Sequence, residues 1–212
     1  MYVNDGSFAV SWANSELTID ADLVEIKAQY QALKATQKSA NVTILSNSSI
    51  KLEAGSEIQA EKNPSGIYLE LGATAKLDGT DIDIRAIGTD NVTARGIFLT
   101  QQKNFESLHS KVEIGSENTQ KITISATGNA NSYGISNIGG AVTLTANEVT
   151  INSSGIGIHV GNNTESSTIP KDTAKTIINA NRTTINADGY GILSFSNGVT
   201  EISGDLKVNA PI

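Results

Sequence analysis

The sequence predicts an all-β chain wound as a single-stranded parallel β-helix, with three short strands per coil, roughly six to seven coils, and loop insertions between coils. Three observations predict it. Residues 142–158, VTLTANEVTINSSGIGI, return thirty-four positions later at 176–192 as TIINANRTTINADGYGI, and self-similarity at a fixed period marks a repeat architecture. The repeated residues alternate with period two, as in Val149-x-Ile151 and Ile156-x-Ile158-x-Val160, which puts every second side chain on one face of a strand. A helical repeat of the same period would need apolar residues at three-and-four spacing, and they are absent. Finally, aromatics at 5% are too few for a broad closed core. A narrow solenoid interior is instead filled by β-branched residues, one turn at a time.

Each copy of the repeat divides into strands at 142–146, 148–152 and 156–160, with Gly or Asn at the junctions, where these residues supply corner conformations. Residues 161–173, GNNTESSTIPKDT, contain Pro170 and no alternation, and read as a loop. Without them a turn takes about twenty-one residues, near the minimum for three five-residue strands plus corners. Strands wound in this way pair with their equivalents one turn on, about 4.8 Å away. Ile151 is then expected over Ile185, and Asn152 over Asn186 as an internal amide ladder.

Taken in order, residues 1–16 include Phe8 and Trp12, match the repeat poorly, and read as an N-terminal cap or incomplete coil; residues 17–212 make the β-helix. Strand signals come at 17–21 and 23–28. Residues 30–39, YQALKATQKS, lack glycine and read as a helical turn or a loop. Further coils take 41–46, 50–54 and 67–71, then 75–78, 82–86 and 97–100, then 112–115, 122–126 and 135–138. The two copies of the repeat follow, and 199–203 with 206–210 begin a coil that stops after Ile212. Because proteins normally protect an open sheet edge, the chain reads as a fragment of a longer one.

The third strand of each coil keeps a Gly-Ile pair: Gly66-Ile67, Gly96-Ile97, Gly134-Ile135, Gly157-Ile158 and Gly191-Ile192, at intervals of 30, 38, 23 and 34. Uneven intervals around a constant anchor place insertions in loops, here 87–94, 101–110 and 161–173. Repeat proteins often carry such insertions on the binding face.

A net charge of −7 argues against nucleic acid and anionic membrane as partners, since both call for basic patches. The absence of cysteine removes disulfides and thiolate metal sites. No apolar run approaches the eighteen or so residues of a membrane-spanning helix. No signal-peptide layout follows Met1.

Asp81, Asp83 and Arg85 are the best catalytic candidates. Alternation sets them on one outward face with the carboxylates about 7 Å apart, in the range of an inverting glycosidase pair. Outward charge is also what any solvated strand face carries, and the expectation is that no residue is catalytic. His109 and His159 stand apart from other ligand-type residues and read as exposed surface histidines, so no metal or cofactor is expected. Gly155-x-Gly157 and Gly189-x-Gly191 read as tight corners, because no helix follows to cradle a phosphate.

The outward side of the third strands points instead to binding. With Ile67 and Leu69 inward, Tyr68 faces out, and Phe98 does so between Ile97 and Leu99; His159 and Leu193 continue the line. Flat aromatic faces suit sugar rings or partner side chains. The loop QQKNFESLHSK adds Phe105 and Leu108 as candidates.

Taken together, the Gly-Ile strands, the Thr150-Ile151-Asn152 and Thr184-Ile185-Asn186 repeats, Ser132-Tyr133-Gly134-Ile135, Gly189-Tyr190-Gly191-Ile192 and the missing cysteines resemble the passenger region of a Gram-negative autotransporter adhesin, over about residues 17–210. The resemblance implies a β-helical stalk displayed on the bacterial cell surface, outside the outer membrane and anchored through a region not in these residues. It implies a non-enzymatic, monomeric segment that binds a host-cell or bacterial surface protein or glycan. The rivals are a pure spacer in an adhesin stalk and a carbohydrate-active β-helix. The motifs of polysaccharide lyases and polygalacturonases with that fold, such as Asn-Thr-Asp and Trp-Ile-Asp-His, do not occur, nor does the Gly-x-Ser-x-Gly of protease passengers.

Overall fold

Alternation of buried and open positions governs the strands. Along Asp81–Ile87 the residues Ile82, Ile84 and Ala86 are buried while Asp81, Asp83 and Arg85 face outward. In the computed structural model, residues 2–3, 7–10, 13–55, 63–101, 108–161, 174–195 and 197–211 are described. The strands are β1 (Tyr2–Val3), β2 (Ser7–Val10), β3 (Glu16–Ala28), β4 (Gln31–Thr36), β5 (Asn41–Gly55), β6 (Ser65–Glu70), β7 (Thr74–Asp78), β8 (Asp81–Ile87) and β9 (Arg95–Thr100). They continue as β10 (Ser110–Ile114), β11 (Lys121–Thr127), β12 (Tyr133–Asn137), β13 (Gly140–Ser153), β14 (Ile156–Val160), β15 (Ala174–Ala187), β16 (Ile192–Ser194) and β17 (Gly198–Asn209). The protein is all-β with parallel strands, and no helix occurs among the described residues.

Seven strands form one sheet in the order β16-β14-β12-β9-β6-β4-β2, and ten form the other. Within the ten-stranded sheet, β5, β7, β10, β13, β11 and β8 close a ring through the β5–β8 pairing. The ring closes because two strands each take two partners along one edge. Residues 41–45 of β5 pair with β7 and 49–55 with β8, while 140–144 of β13 pair with β10 and 148–153 with β11. Where separate short strands are expected, as at 142–146 and 148–152, the backbone stays extended through the junction. Ladder bonds continue there, such as Asn147 N–H to Thr119 O (2.8 Å) and Glu148 N–H to Gln120 O (3.0 Å).

Inward side chains stack in columns. Ile151 lies opposite Ile185, both fully buried, within the column Leu52, Ile84, Ile124, Ile151, Ile185 and Val208. Burial of each of these side chains but the exposed Val208 contributes about 1.5–3 kcal/mol. Asn152 and Asn186 are also in register, and Asn186 Nδ2 donates to Asn152 Oδ1 (2.8 Å), with Asn209 extending the ladder. This amide ladder is not internal, however. Ile151 and Ile185 occupy the interior, so the period of two turns their neighbours outward.

The segment 30–39 is neither a helical turn nor simply a loop, because β4 joins the seven-stranded sheet with Leu33 opposite Ile67. Within residues 1–16, β1 and β2 pair with β3 and β4, and Phe8 packs on the core. Trp12 lies outside the described residues.

The Gly-Ile pairs have a packing cause. A Cβ at Gly66, Gly96, Gly134 or Gly157 would lie 2.3–2.4 Å from Cγ2 of Ile84, Ile124, Ile151 or Ile185, and one at Gly191 would lie 2.3 Å from Cγ1 of Val208. Glycine is required where the seven-stranded sheet meets a β-branched side chain of the other sheet. In β4 the corresponding place holds Ala32, next to Leu33. The column position across from it is Leu52, which has no branch at Cβ.

Candidate binding ledge on the seven-stranded sheet

The Gly-Ile pair interrupts the alternation of the seven-stranded sheet. Along Arg95–Thr100, Gly96 and Ile97 are both buried, so Arg95 and Phe98 on either side share the outer surface. The same pattern puts Tyr133 outward beside Gly134-Ile135, and Ile156 and His159 outward around Gly157-Ile158. Two side-chain columns result. One runs Lys34, Tyr68, Phe98, Ser136, His159 and Leu193. The other includes Arg95, Tyr133 and Ile156, and Tyr190, 65% exposed, lies with Gly191 just before β16.

These side chains make a nearly continuous ledge. The Tyr68 and Phe98 rings meet edge to face with centroids 5.4 Å apart. Lys34 Nζ lies 5.6 Å from the centre of Tyr68. Arg95 Cζ lies 4.4 Å from the centre of Phe98 and 5.9 Å from that of Tyr133. His159 is held between Tyr133 and Phe195, each 5.3 Å away. The small side chain at Ser136 interrupts the aromatic column, and Tyr133 bridges the interruption by reaching His159 from the neighbouring column.

The ledge perturbs its ionisable groups. Burial, then the Glu70 carboxylate that accepts the Tyr68 hydroxyl (2.9 Å), pushes the Tyr68 phenol well above its usual range. Burial lowers the Arg95 pKa. Burial, then the nearby positive charge of Arg95, lowers that of His159. Arg95 Nε and His159 Nδ1 are buried without hydrogen-bond partners.

Of the residues expected in a binding face, Tyr68, Phe98, His159 and Leu193 thus share one column. They are half-buried rather than standing clear of the surface, because they pack on one another and on Arg95, Tyr133 and Phe195. His159 in particular is not the exposed surface histidine expected; the two rings flanking it cover it. Leu108 lies beside Gly72, away from this column, and Phe105 falls outside the described residues. Sequence reasoning missed Lys34, Arg95, Tyr133 and Phe195. For Arg95 and Tyr133 the available signal was the residue before each Gly-Ile pair.

Asp81, Asp83 and Arg85 lie on the ten-stranded sheet. Arg85 pairs with Asp83 (2.6 Å), while Asp81 is exposed. Around them the charges form a checkerboard: Glu25, Lys51 and Asp83 in one column, and Lys27, Glu53 and Arg85 in the next. Each charge in these two columns faces an opposite one, an arrangement that favours pairing across strands. His109 is exposed, with Nδ1 3.3 Å from Gly139 O.

A concavity of about 690 Å³ follows the bend of the ten-stranded sheet and is lined by small polar groups including Thr145, Asn147 and Asn181. Two of these already bond to each other, Asn181 Nδ2 to Asn147 Oδ1 (2.8 Å). No group of three or more His, Cys, Asp or Glu that could hold a metal occurs among the described residues. No family model, curated protein or solved structure matches the chain.

Proposed function

We propose that the chain is a non-enzymatic binding segment of a surface-displayed adhesin, wound as a single-stranded parallel β-helix, with the aromatic ledge as its contact surface. The observation that carries this reading is the ledge itself: Lys34, Tyr68, Phe98, Arg95, Tyr133, His159 and Phe195 linked ring to ring or ring to cation along one sheet. The register supports the winding. The chain passes from each long strand to the other sheet and returns one place further on, as from β13 through β14 to β15.

A ledge built on a sheet is pre-formed, so little ordering opposes binding. Its aromatic faces fit sugar rings or partner side chains, and the partner class is a host-cell or bacterial surface protein or glycan. Absence of cysteine suits export and folding on the cell surface, since no disulfide can form on the way. The chain is read as a segment of a larger autotransporter-like passenger.

The test is binding of the protein to glycan arrays, matrix proteins and whole cells, repeated with Tyr68→Ala and Phe98→Ala together. The expected result is binding that the double variant weakens at least tenfold, with circular dichroism and melting temperature nearly unchanged. A folded protein that binds nothing is instead a spacer. Polysaccharide turnover abolished by Asp81→Ala or Asp83→Ala would make it a carbohydrate-active enzyme.

A further inference from the structure

Arg95 is a cation without a counter-charge. No carboxylate lies within ion-pair distance of it among the described residues, whereas the other two arginines, Arg85 and Arg182, each have one. Its guanidinium carbon lies over Phe98, 4.4 Å from the ring centre, and its Nε is sealed from solvent without a partner. The two terminal nitrogens are not sealed in this way and make no hydrogen bond to the described residues. A guanidinium is therefore held over a ring, and its terminal nitrogens are donors of the kind that take a carboxylate through two parallel N–H bonds. The nearest acid on the same sheet, Glu70, is already engaged by the Tyr68 hydroxyl.

We propose that Arg95 receives a carboxylate borne on a sugar ring, so that the ligand of the ledge is an acidic glycan. This rests on the ledge being the binding surface proposed above. The rings of Tyr68, Phe98 and Tyr133 flank the guanidinium on successive strands, which are spaced about 4.8 Å apart. They offer stacking platforms to consecutive rings of a polymer lying along the column. An acidic peptide fits less well. The backbone groups of β9 are already used by β6 and β12, so a peptide laid there would leave its own amides unpaired where it covers the ledge. Sugar hydroxyls can stay in water on the open side. The net charge of −7 opposes general attraction to a polyanion, which leaves recognition to the local cation, helped by Lys34 beside Tyr68.

Calorimetric titration of the protein with hyaluronan and oligogalacturonate octasaccharides, each as free acid and as methyl ester, tests the inference. At least one acid is expected to bind, and its ester at least tenfold more weakly. Arg95→Gln should bring the acid to the affinity of the ester without altering the ester, and Arg95→Lys should recover only part of the difference. Unchanged melting temperatures exclude a folding defect. Equal binding of acid and ester, indifference to Arg95→Gln, or no binding of either acid overturns the inference. So does tighter, Arg95-dependent binding of a polyglutamate peptide, which would make the partner a protein. If acid and ester bind alike and Tyr68→Ala with Phe98→Ala abolishes both, the ledge stands and only the role of Arg95 falls. If binding ignores the ledge variants, the ledge itself falls.

Discussion

A side chain at Gly157 has no room beside Ile185: a Cβ built there lies 2.4 Å from Cγ2 of Ile185 and 2.5 Å from the carbonyl oxygen of Gly191. Gly157→Ala should therefore destabilise the protein by about 1–3 kcal/mol, the usual cost of overpacking a filled core. Because Gly157 and Ile185 touch, Ile185→Leu, which removes the branch at Cβ, should recover part of the loss in a double-mutant cycle followed by urea unfolding. Strict additivity would show that the backbone contact with Gly191 dominates instead.

The alanine at position 32 gives the converse experiment. It stands where the other third strands have glycine, and the position facing it in the neighbouring sheet is Leu52 rather than a β-branched residue. Leu52→Ile conserves volume, and such swaps usually cost less than about 1.5 kcal/mol. Here a larger loss is expected, relieved by Ala32→Gly even though glycine alone weakens a strand. Thermal melts of the two single variants and the double variant decide it; a Leu52→Ile protein as stable as the parent would refute the packing account.

Thr183 is fully buried in an otherwise aliphatic column, opposite Val149 on one side and Leu206 on the other, and its Oγ1 has no hydrogen-bond partner. A buried hydroxyl left unpaired costs about 1–3 kcal/mol. Thr183→Val keeps the shape and removes that group. A rise in stability of about 1 kcal/mol is expected in denaturant unfolding.

His159 should make stability depend on pH. Its pKa in the folded protein is held below the ordinary 6.5 by burial and then by Arg95. Between the folded value and about 6.5 the unfolded chain binds more protons than the folded one, so stability falls as pH drops through this window. Above about 6.5 both states are neutral at this ring and the effect vanishes. Melting temperatures between pH 7.5 and 5.5 should therefore decline more steeply for the parent than for His159→Gln. A parallel decline in both proteins would mean that the ring titrates normally.

Much of the fold was legible because strand periodicity is a local property. Ile151 over Ile185 and Tyr68 beside Phe98 follow from counting alternate residues around a repeat. The β4 strand was missed because Ala32-Leu33 carries no glycine, although its burial pattern resembles that of the Gly-Ile strands. The amide ladder was read at the right positions but on the wrong face, an error of one step in a period of two.

The site was only half visible for a related reason. Tyr68 and Phe98 face outward by simple alternation after Ile67 and Ile97, whereas Arg95 and Tyr133 face outward only because Gly96-Ile97 and Gly134-Ile135 are each buried as a pair. No count of alternate residues gives that. Its cause is a glycine backbone pressed against an isoleucine methyl from the other sheet.

By itself, then, the order of Val, Ile, Thr, Asn and Gly determined that this chain forms strands and where most of its aliphatic columns run, since both depend on residues a few places apart. Only the tertiary structure decided how the two sheets approach, which neighbours share the ledge, and that Arg95 lies on Phe98 without a carboxylate. Those relationships arise where residues far apart in sequence compete for the same space, and the packing between them chooses the outcome.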